Sequence, residues 1–195
     1  MLQKIILFIA VVTVYQNSNA AYIIEPSIGY RQESIKFTDL TNTSTDLKVN
    51  SPIYGLKLGV TLLGGISFDL AGSRSSGKAQ FTPAITEQPD YSHNLGTFQV
   101  GVNAMGILKI YLGYILLDEF EVQTNTSVQG FKMKGSGFQA GIMTFPFSRL
   151  GIGAQYNVHQ FKEISGASYT LGSDVKNYYQ KIDVQDLALS LSVLF

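Results

Sequence analysis

The last stretch of the chain, DVQDLALSLSVLF from Asp183 to Phe195, determines the predicted fold. Counted back from the end, every second residue is large and apolar, and these are Phe195, Val193, Leu191, Leu189 and Leu187. The residues between them are mostly small or polar. Side chains on a β-strand alternate between two faces. The pattern therefore predicts a strand with one apolar face and one polar face, which ends the sequence on an aromatic residue.

The amino-acid composition indicates the environment that surrounds such a strand. Hydrophobic residues make up 45% of the 195-residue chain and charged residues only 14%, whereas about a quarter of a soluble domain is charged. After the amino-terminal segment, no apolar run is long enough to be a spanning helix. A closed β-barrel is the other structure that satisfies its backbone hydrogen bonds in lipid. The composition therefore favours a barrel in a membrane.

Residues 1–20 have the pattern of a cleaved signal peptide. Lys4 precedes an apolar core from Ile5 to Tyr15, and Ser18-Asn19-Ala20 forms a small-x-small cleavage site. The alternative is an amino-terminal membrane anchor, but the apolar core is short for that. We therefore expect a mature domain from residue 21 to residue 195, exported by the signal.

The mature sequence repeats the alternating pattern in eight blocks. Their connections are alternately long and short, as in an up-and-down meander with all long loops at one end. Each strand is expected to have about ten residues, the length that crosses a bilayer at a tilt. The polar stretches at about 32–51, 72–94, 118–135 and 161–181 are interpreted as four long outer loops, separated by three short turns. The sequence thus predicts an all-β, eight-stranded antiparallel transmembrane barrel, with a bulge or a missing hydrogen bond at Pro26.

The two faces of the predicted strands differ in chemistry. The apolar face carries an aromatic girdle near the long-loop end, made of Tyr30, Tyr54, Phe98, Tyr114, Phe138 and Tyr156. The other face carries glycines and a polar set that we assign to the lumen, namely Glu25, Arg31, Lys57, Asp69, Asn103, Lys109, Gln139, Gln155 and Asp186. A lipocalin-type soluble barrel is the alternative, but its outer face would have to be solvated. Glycine fits the crowded interior of a narrow barrel better.

Signal, topology and closing strand resemble the small eight-stranded outer-membrane proteins of Gram-negative bacteria, typified by the OmpA transmembrane domain and OmpX. The resemblance implies that the closing strand, with Leu187, Leu189, Leu191, Val193 and Phe195, is read by the barrel-assembly machinery. The chain departs from the family pattern at Val193, where an aromatic residue is frequent, and in lacking tryptophan. The resemblance implies an outer-membrane location and outer-membrane lipid as a partner.

Counting residues across the short turns predicts lumen contacts. The first turn should place Lys57 opposite Asp69, the second should place Asn103 beside Lys109, and the third should pair Gln139 with Gln155. An eight-stranded lumen is only wide enough to be filled by side chains. We therefore expect a polar plug, and an ion path is the alternative.

Residues that could carry catalysis or bind a metal are few. The chain has no cysteine and two histidines, and its 14 basic residues equal its 14 acidic residues, so no nucleic-acid partner is expected. His93 is interpreted as a polar loop residue, whereas His159 could meet Glu163 but has no nucleophilic serine beside it in sequence. The acids Asp118, Glu119 and Glu121 are interpreted as a solvated rim rather than a cation site. We therefore predict no catalytic, cofactor or metal site.

The sequence favours a structural or surface-interaction role carried by the outer loops. The second hypothesis is a narrow channel or small-ligand conduit, and the third is a lipid-modifying outer-membrane enzyme.

Overall fold

The computed structural model describes residues 21–62, 65–82, 87–104, 107–126, 128–147, 149–166 and 169–195, of which residues 169–173 are described by their backbone only. The signal expected at residues 1–20 and parts of all three short turns lie outside the described residues. No helix among the described residues is long and apolar enough to cross a membrane.

The described chain folds into one antiparallel sheet that closes on itself. The strands are β1 (Ala21–Asp39), β2 (Ser44–Thr61), β3 (Ile66–Thr82), β4 (Asp90–Ala104), β5 (Leu108–Val122), β6 (Phe131–Phe147), β7 (Leu150–Gly166), β8 (Tyr169–Asp174) and β9 (Tyr179–Val193). Each strand from β1 to β7 pairs with the next, and β9 pairs with both β7 and β1. The short strand β8 pairs only with the outer end of β7. The predicted eight-stranded up-and-down barrel is confirmed, with β8 as a side hairpin.

The strands are longer, and the outer loops shorter, than the sequence pattern suggested. The eight barrel strands have 15 to 19 residues each, so most of the predicted loop residues continue the strands. β1 and β2, for example, remain paired up to Thr38 and Ser44, and only a tight turn joins them. The expected strand length of about ten residues is therefore wrong, because polar composition was taken as a sign of irregular structure.

The apolar face of the strands changes sides along the barrel axis. In the lower part of β1, Ile24, Ile28 and Tyr30 are exposed on the outer surface, whereas in its upper part Ile35 and Phe37 are buried inside. The same inversion recurs in β2, where Leu56 and Leu58 face outward and Leu47 and Val49 face inward. The barrel therefore has a lower segment with a lipid-facing apolar band and an outer extension with an apolar interior and a polar wall.

At Pro26, the pairing of β1 with β2 is more regular than the sequence predicted. The pairing of β1 with β2 continues through Pro26↔Leu56 without a register shift, so the predicted bulge is absent there. On the other side, the β1–β9 ladder begins at Ser27, and beyond the proline Ile24 and Phe195 exchange backbone hydrogen bonds of 3.3 and 3.0 Å. Proline has no N–H to donate. The ladder is therefore interrupted only on the side facing the closing strand.

Candidate functional site

Two buried ion pairs occupy the lower lumen. Lys57 Nζ lies 3.0 Å from Glu25 Oε1, and Lys109 Nζ lies 2.6 Å from Asp69 Oδ2. The predicted Lys57–Asp69 pairing is therefore wrong, since Lys57 lies opposite Ala71 and Asp69 opposite Gly59. The turn between β2 and β3 shifts the register by two residues. Such a shift keeps every side chain on its face, so both residues still point into the lumen.

The middle of the lumen is filled by amides and one tyrosine ring. Gln99 Nε2 donates to Gln139 Oε1 at 2.6 Å, and Gln139 Nε2 donates to Asn157 Oδ1 at 2.9 Å. The predicted Gln139–Gln155 pair is wrong by the same two-residue shift, because Gln139 lies opposite Asn157. Gln155 instead accepts a hydrogen bond from the Tyr111 hydroxyl at 3.3 Å. Asn103 does lie opposite Lys109, as the second turn predicted, and its amide also reaches Thr61.

A chain of alternating carboxylates and imidazoles lies above this layer. Asp118 bridges the two histidines, with Oδ1 2.8 Å from His93 Nε2 and Oδ2 2.8 Å from His159 Nδ1. The second nitrogen of each ring also meets a carboxylate. His93 Nδ1 lies 2.9 Å from Glu33 Oε2, and His159 Nε2 lies 3.0 Å from Asp186 Oδ2. We call these five side chains, all buried, the histidine–carboxylate cluster.

The lower layers connect to this cluster through Asp186. The Asn157 amide donates to Asp186 Oδ2 at 2.7 Å, and Arg31 Nε lies 3.4 Å from Asp186 Oδ1. Arg31 also donates to Ser75 Oγ at 3.2 Å and is fully buried. A continuous hydrogen-bonded path thus joins the amides of the mid-lumen to Glu33 at the base of the outer extension.

Sequence reasoning missed much of this cluster. His93 was interpreted as a loop residue and Asp118 as part of a solvated rim, but both are buried on the inner face of extended strands. His159 contacts Asp118 and Asp186 instead of the expected Glu163. The sequence did contain one signal for an inward-facing strand, because Tyr91, His93 and Leu95 alternate with small or polar residues. The structure shows that all three side chains are buried.

An apolar cap closes the lumen above the histidine–carboxylate cluster. It consists of twelve buried residues from the outer extension, namely Ile35, Phe37, Leu47, Val49, Ala79, Tyr91, Phe120, Val122, Phe131, Met133, Ile164 and Val175. Below the cap, a mid-lumen cavity between Lys57, Gln99 and Tyr111 has a volume of about 50 Å³. A larger recess of about 620 Å³ opens at the lower end, beneath Lys109 and Glu25. The interior between this recess and the outer surface is therefore packed with side chains.

The remaining predicted residues lie on the outer wall. The six girdle residues are exposed there, and Tyr114 and Phe138 pack edge to face with ring centroids 5.4 Å apart. The alternate apolar residues of the closing strand, Leu187, Leu189, Leu191, Val193 and Phe195, are exposed on the same surface. Above the girdle the wall is charged. Lys132 donates a hydrogen bond to Glu119 at 3.1 Å, which lowers the pKa of that carboxyl.

Solved outer-membrane barrels share this fold. Ail, the attachment invasion locus protein of Yersinia pestis, solved in complex with the heparin analogue sucrose octasulfate, matches with a TM-score of 0.57 and 14% identity over 89% of this chain and 99% of that one. Neisserial surface protein A matches with a TM-score of 0.51 and 12% identity over 91% and 100% of the two chains. OprG from Pseudomonas aeruginosa matches with a TM-score of 0.50 and 13% identity over 91% and 98%. No protein-family model and no curated protein matches the sequence.

The closed antiparallel sheet, the outward apolar band and these likenesses define the fold, a β-barrel like those of bacterial outer-membrane proteins. Within that fold, the strand number and the up-and-down order are those of the small eight-stranded outer-membrane barrels.

Proposed function

We propose that this protein is a closed, non-enzymatic barrel of the outer membrane that acts through contacts made by its outer extension. In this account residues 1–20 direct export and are removed, the barrel-assembly machinery inserts the domain, and the girdle and closing strand contact outer-membrane lipid. The observation that carries the proposal is the filled lumen with its apolar cap. A barrel closed in this way offers its outer surface, not its interior, to other molecules.

The outer extension is suited to making contacts because hydrogen bonds order its tips. Strands β1 and β2 remain paired to their tips, and Asp39 holds the turn by accepting hydrogen bonds from the backbone N–H groups of Thr41 and Thr43 at 2.8 and 2.9 Å. Two further tips are tied together, since Asn125 Nδ2 donates to the Glu87 carbonyl at 2.9 Å. A pre-ordered surface loses little conformational entropy on binding.

The charge of the extension indicates the chemistry of the partner. Basic and acidic side chains alternate on the wall, as in the Lys78–Asp90 pair at 2.9 Å and the contacts of Glu119 with Lys132 and Lys134. Such a mixed surface has no large field of one sign to attract a polyanion. We therefore expect a protein or a neutral glycan as the partner. The structure of Ail with a heparin analogue shows that another barrel of this fold binds a ligand.

The interior is poorly suited to catalysis. Both histidines and all their carboxylate partners in the cluster are buried between the cap and the amide layer. A catalytic base must come within hydrogen-bond reach of its substrate. An extracellular or lipid substrate would first have to displace the cap or the wall, so the cluster is better suited to a structural role.

The test compares bacteria that display the wild-type protein with bacteria that display a tip variant. In that variant residues 40–43 and 123–126 are replaced by glycine and serine, which leaves the barrel strands intact. Retention is measured on surfaces coated with protein, neutral polysaccharide or heparin. We expect the wild type to bind protein or neutral polysaccharide, the tip variant to lose at least tenfold, and heparin to give no preference. Equal retention of both strains on all surfaces would contradict the proposal.

A further inference from the structure

We infer that the histidine–carboxylate cluster is a binding site for one divalent transition-metal ion, with Zn²⁺ the best fit, ligated by His93 Nε2, His159 Nδ1 and Asp118. These three ligand groups lie within 4.8 Å of one another and all are buried. Imidazole nitrogens with a carboxylate form a donor set that suits zinc and neighbouring metals. The inference is independent of the surface role and departs from the expectation from sequence that no metal site exists.

The contacts on the far side of each ring are the strongest argument for this site. Glu33 lies 2.9 Å from the second nitrogen of His93, and Asp186 lies 3.0 Å from the second nitrogen of His159. Histidines that ligate metals nearly always donate their other N–H to such an acceptor, which fixes the tautomer and the ring orientation. Here both rings are already oriented so that their remaining nitrogens face the same carboxylate, Asp118.

The surroundings of the two rings are rich in carboxylates that a cation could pair with. Three carboxylates, Glu33, Asp118 and Asp186, are buried with a single guanidinium, that of Arg31. Buried charges are costly unless they are paired. A divalent cation between the rings would pair with the Asp118 carboxylate, while Glu33 and Asp186 keep their contacts to the far nitrogens of the two rings.

The geometry needs little adjustment to hold the ion. Zinc–nitrogen bonds of about 2.0–2.1 Å place two ligating nitrogens about 3.3 Å apart in a tetrahedral site. The two imidazole centroids are 5.3 Å apart and the ligand atoms at most 4.8 Å, so each ring moves by about 1 Å or less on binding. Asp118 supplies one oxygen or both. Phe120 and Phe161 pack against His93 and His159 and exclude water, as in other buried metal sites.

The route to the site determines how the test is done. The cluster lies under the apolar cap, so an ion enters most readily while the barrel is folding. The full-length mature protein, without an added histidine tag, is therefore refolded in detergent with Co²⁺ present, and a second sample receives Co²⁺ after folding. The chain has only two histidines and no cysteine. Visible ligand-field absorption of tetrahedral Co²⁺ with nitrogen ligands consequently reports on this cluster.

We expect one tightly bound Co²⁺ per barrel in at least one of the two samples, and displacement of its absorption by Zn²⁺. His93→Gln and His159→Gln should abolish the bands, and Glu33→Gln should weaken binding by about 10- to 100-fold, the usual effect of losing an orienting partner. Glu119→Gln is the matched control, because it removes a neighbouring carboxylate that points outward and should leave binding unchanged.

Folding of each variant is checked by its heat-modifiable gel migration. If a histidine variant fails to fold, ¹⁵N NMR of the wild-type protein provides a second test. The ¹⁵N chemical shifts of both imidazoles must change when the protein is loaded with Zn²⁺. The proposal is overturned if neither Co²⁺ sample binds stoichiometrically, if the bands survive in His93→Gln, or if the imidazole spectra are the same with and without Zn²⁺.

Discussion

Tyr111 on β5 lies directly opposite Gly141 on β6, and its ring occupies the space that a side chain at Gly141 would need. A Cβ built on Gly141 would come within 2.3 Å of the Tyr111 Cζ atom. The ring also contacts the ammonium of Lys57, whose Nζ lies 5.3 Å from the ring centroid. A glycine at this position therefore allows one aromatic ring to fill the mid-lumen.

The first prediction follows from that relationship. Gly141→Ala should lower the free energy of unfolding by about 1–3 kcal/mol, because overpacking forces the buried ring to move. Urea unfolding in lipid vesicles measures the loss. Gly72→Ala is the matched control, since its Cβ would meet only the Leu95 carbonyl oxygen at 4.0 Å. The account of this contact is wrong if the two substitutions have the same effect, or if adding Tyr111→Ala to Gly141→Ala recovers none of the loss.

The second prediction concerns the buried Lys109–Asp69 pair. Asp69→Ala leaves the Lys109 ammonium buried without its partner, and we expect a loss of about 3–5 kcal/mol in the free energy of unfolding. Asp90→Ala removes the partner of Lys78 in an exposed pair of similar length and should cost less than about 1 kcal/mol. Equal losses in the same vesicle assay would show that the lumen is hydrated and that the pair is not buried.

The third prediction concerns barrel closure. Deleting Phe195 removes the two backbone hydrogen bonds to Ile24 and the last apolar residue of the closing strand. We therefore expect less folded protein in the outer membrane and more degradation products, measured by heat-modifiable gel migration of membrane fractions. Phe195→Tyr keeps an aromatic ring and the backbone bonds, so it should assemble normally. Full yield of the deletion variant would show that assembly does not depend on this residue.

The fold could be predicted because alternation of side chains is a local property. Large apolar residues occupy every second position from Leu187 to Phe195, and this pattern can be seen without knowing which strands lie beside them. The girdle residues lie on the apolar face of similar alternating patterns. Which residues lie opposite each other depends on the length of the turns. Thr61 pairs with Ser67, so the register across the first turn differs by two residues from the register predicted from the sequence. The prediction that Lys57 and Asp69 point into the lumen is therefore right, whereas the prediction that they pair with each other is wrong.

The outer extension was missed because its apolar face is inverted relative to the membrane segment. Ile35 and Phe37 alternate with polar residues as clearly as Ile28 and Tyr30 do, but on the other face. The outer surface of the lower segment is apolar and that of the upper segment is polar, so the buried side of the pattern changes where the strand passes from one segment to the other. A change of phase in an alternating pattern is thus a signal that a strand continues beyond the bilayer.

The alternation around His93 could have placed that one residue on an inner face, but the meeting of the whole histidine–carboxylate cluster could not be predicted from sequence. His93, Asp118 and His159 belong to three strands, and they meet only because β4, β5 and β7 extend past the girdle and close into a ring. Around Asp118 a register shift in the β5–β6 ladder also changes which residues face inward. Sequence spacing carries no information on such an irregularity.

The central claim is that the lumen is closed, and single-channel recording in planar bilayers tests it most directly. The wild-type barrel should insert without producing steady conductance steps, because its apolar cap and amide layer fill the lumen among the residues that the structure describes. A variant that truncates both barriers, Phe120→Ala with Tyr111→Ala, should show more frequent openings and verifies that inserted barrels are being observed. Steady, reproducible conductance of the wild type at neutral pH would contradict the account and favour a conduit.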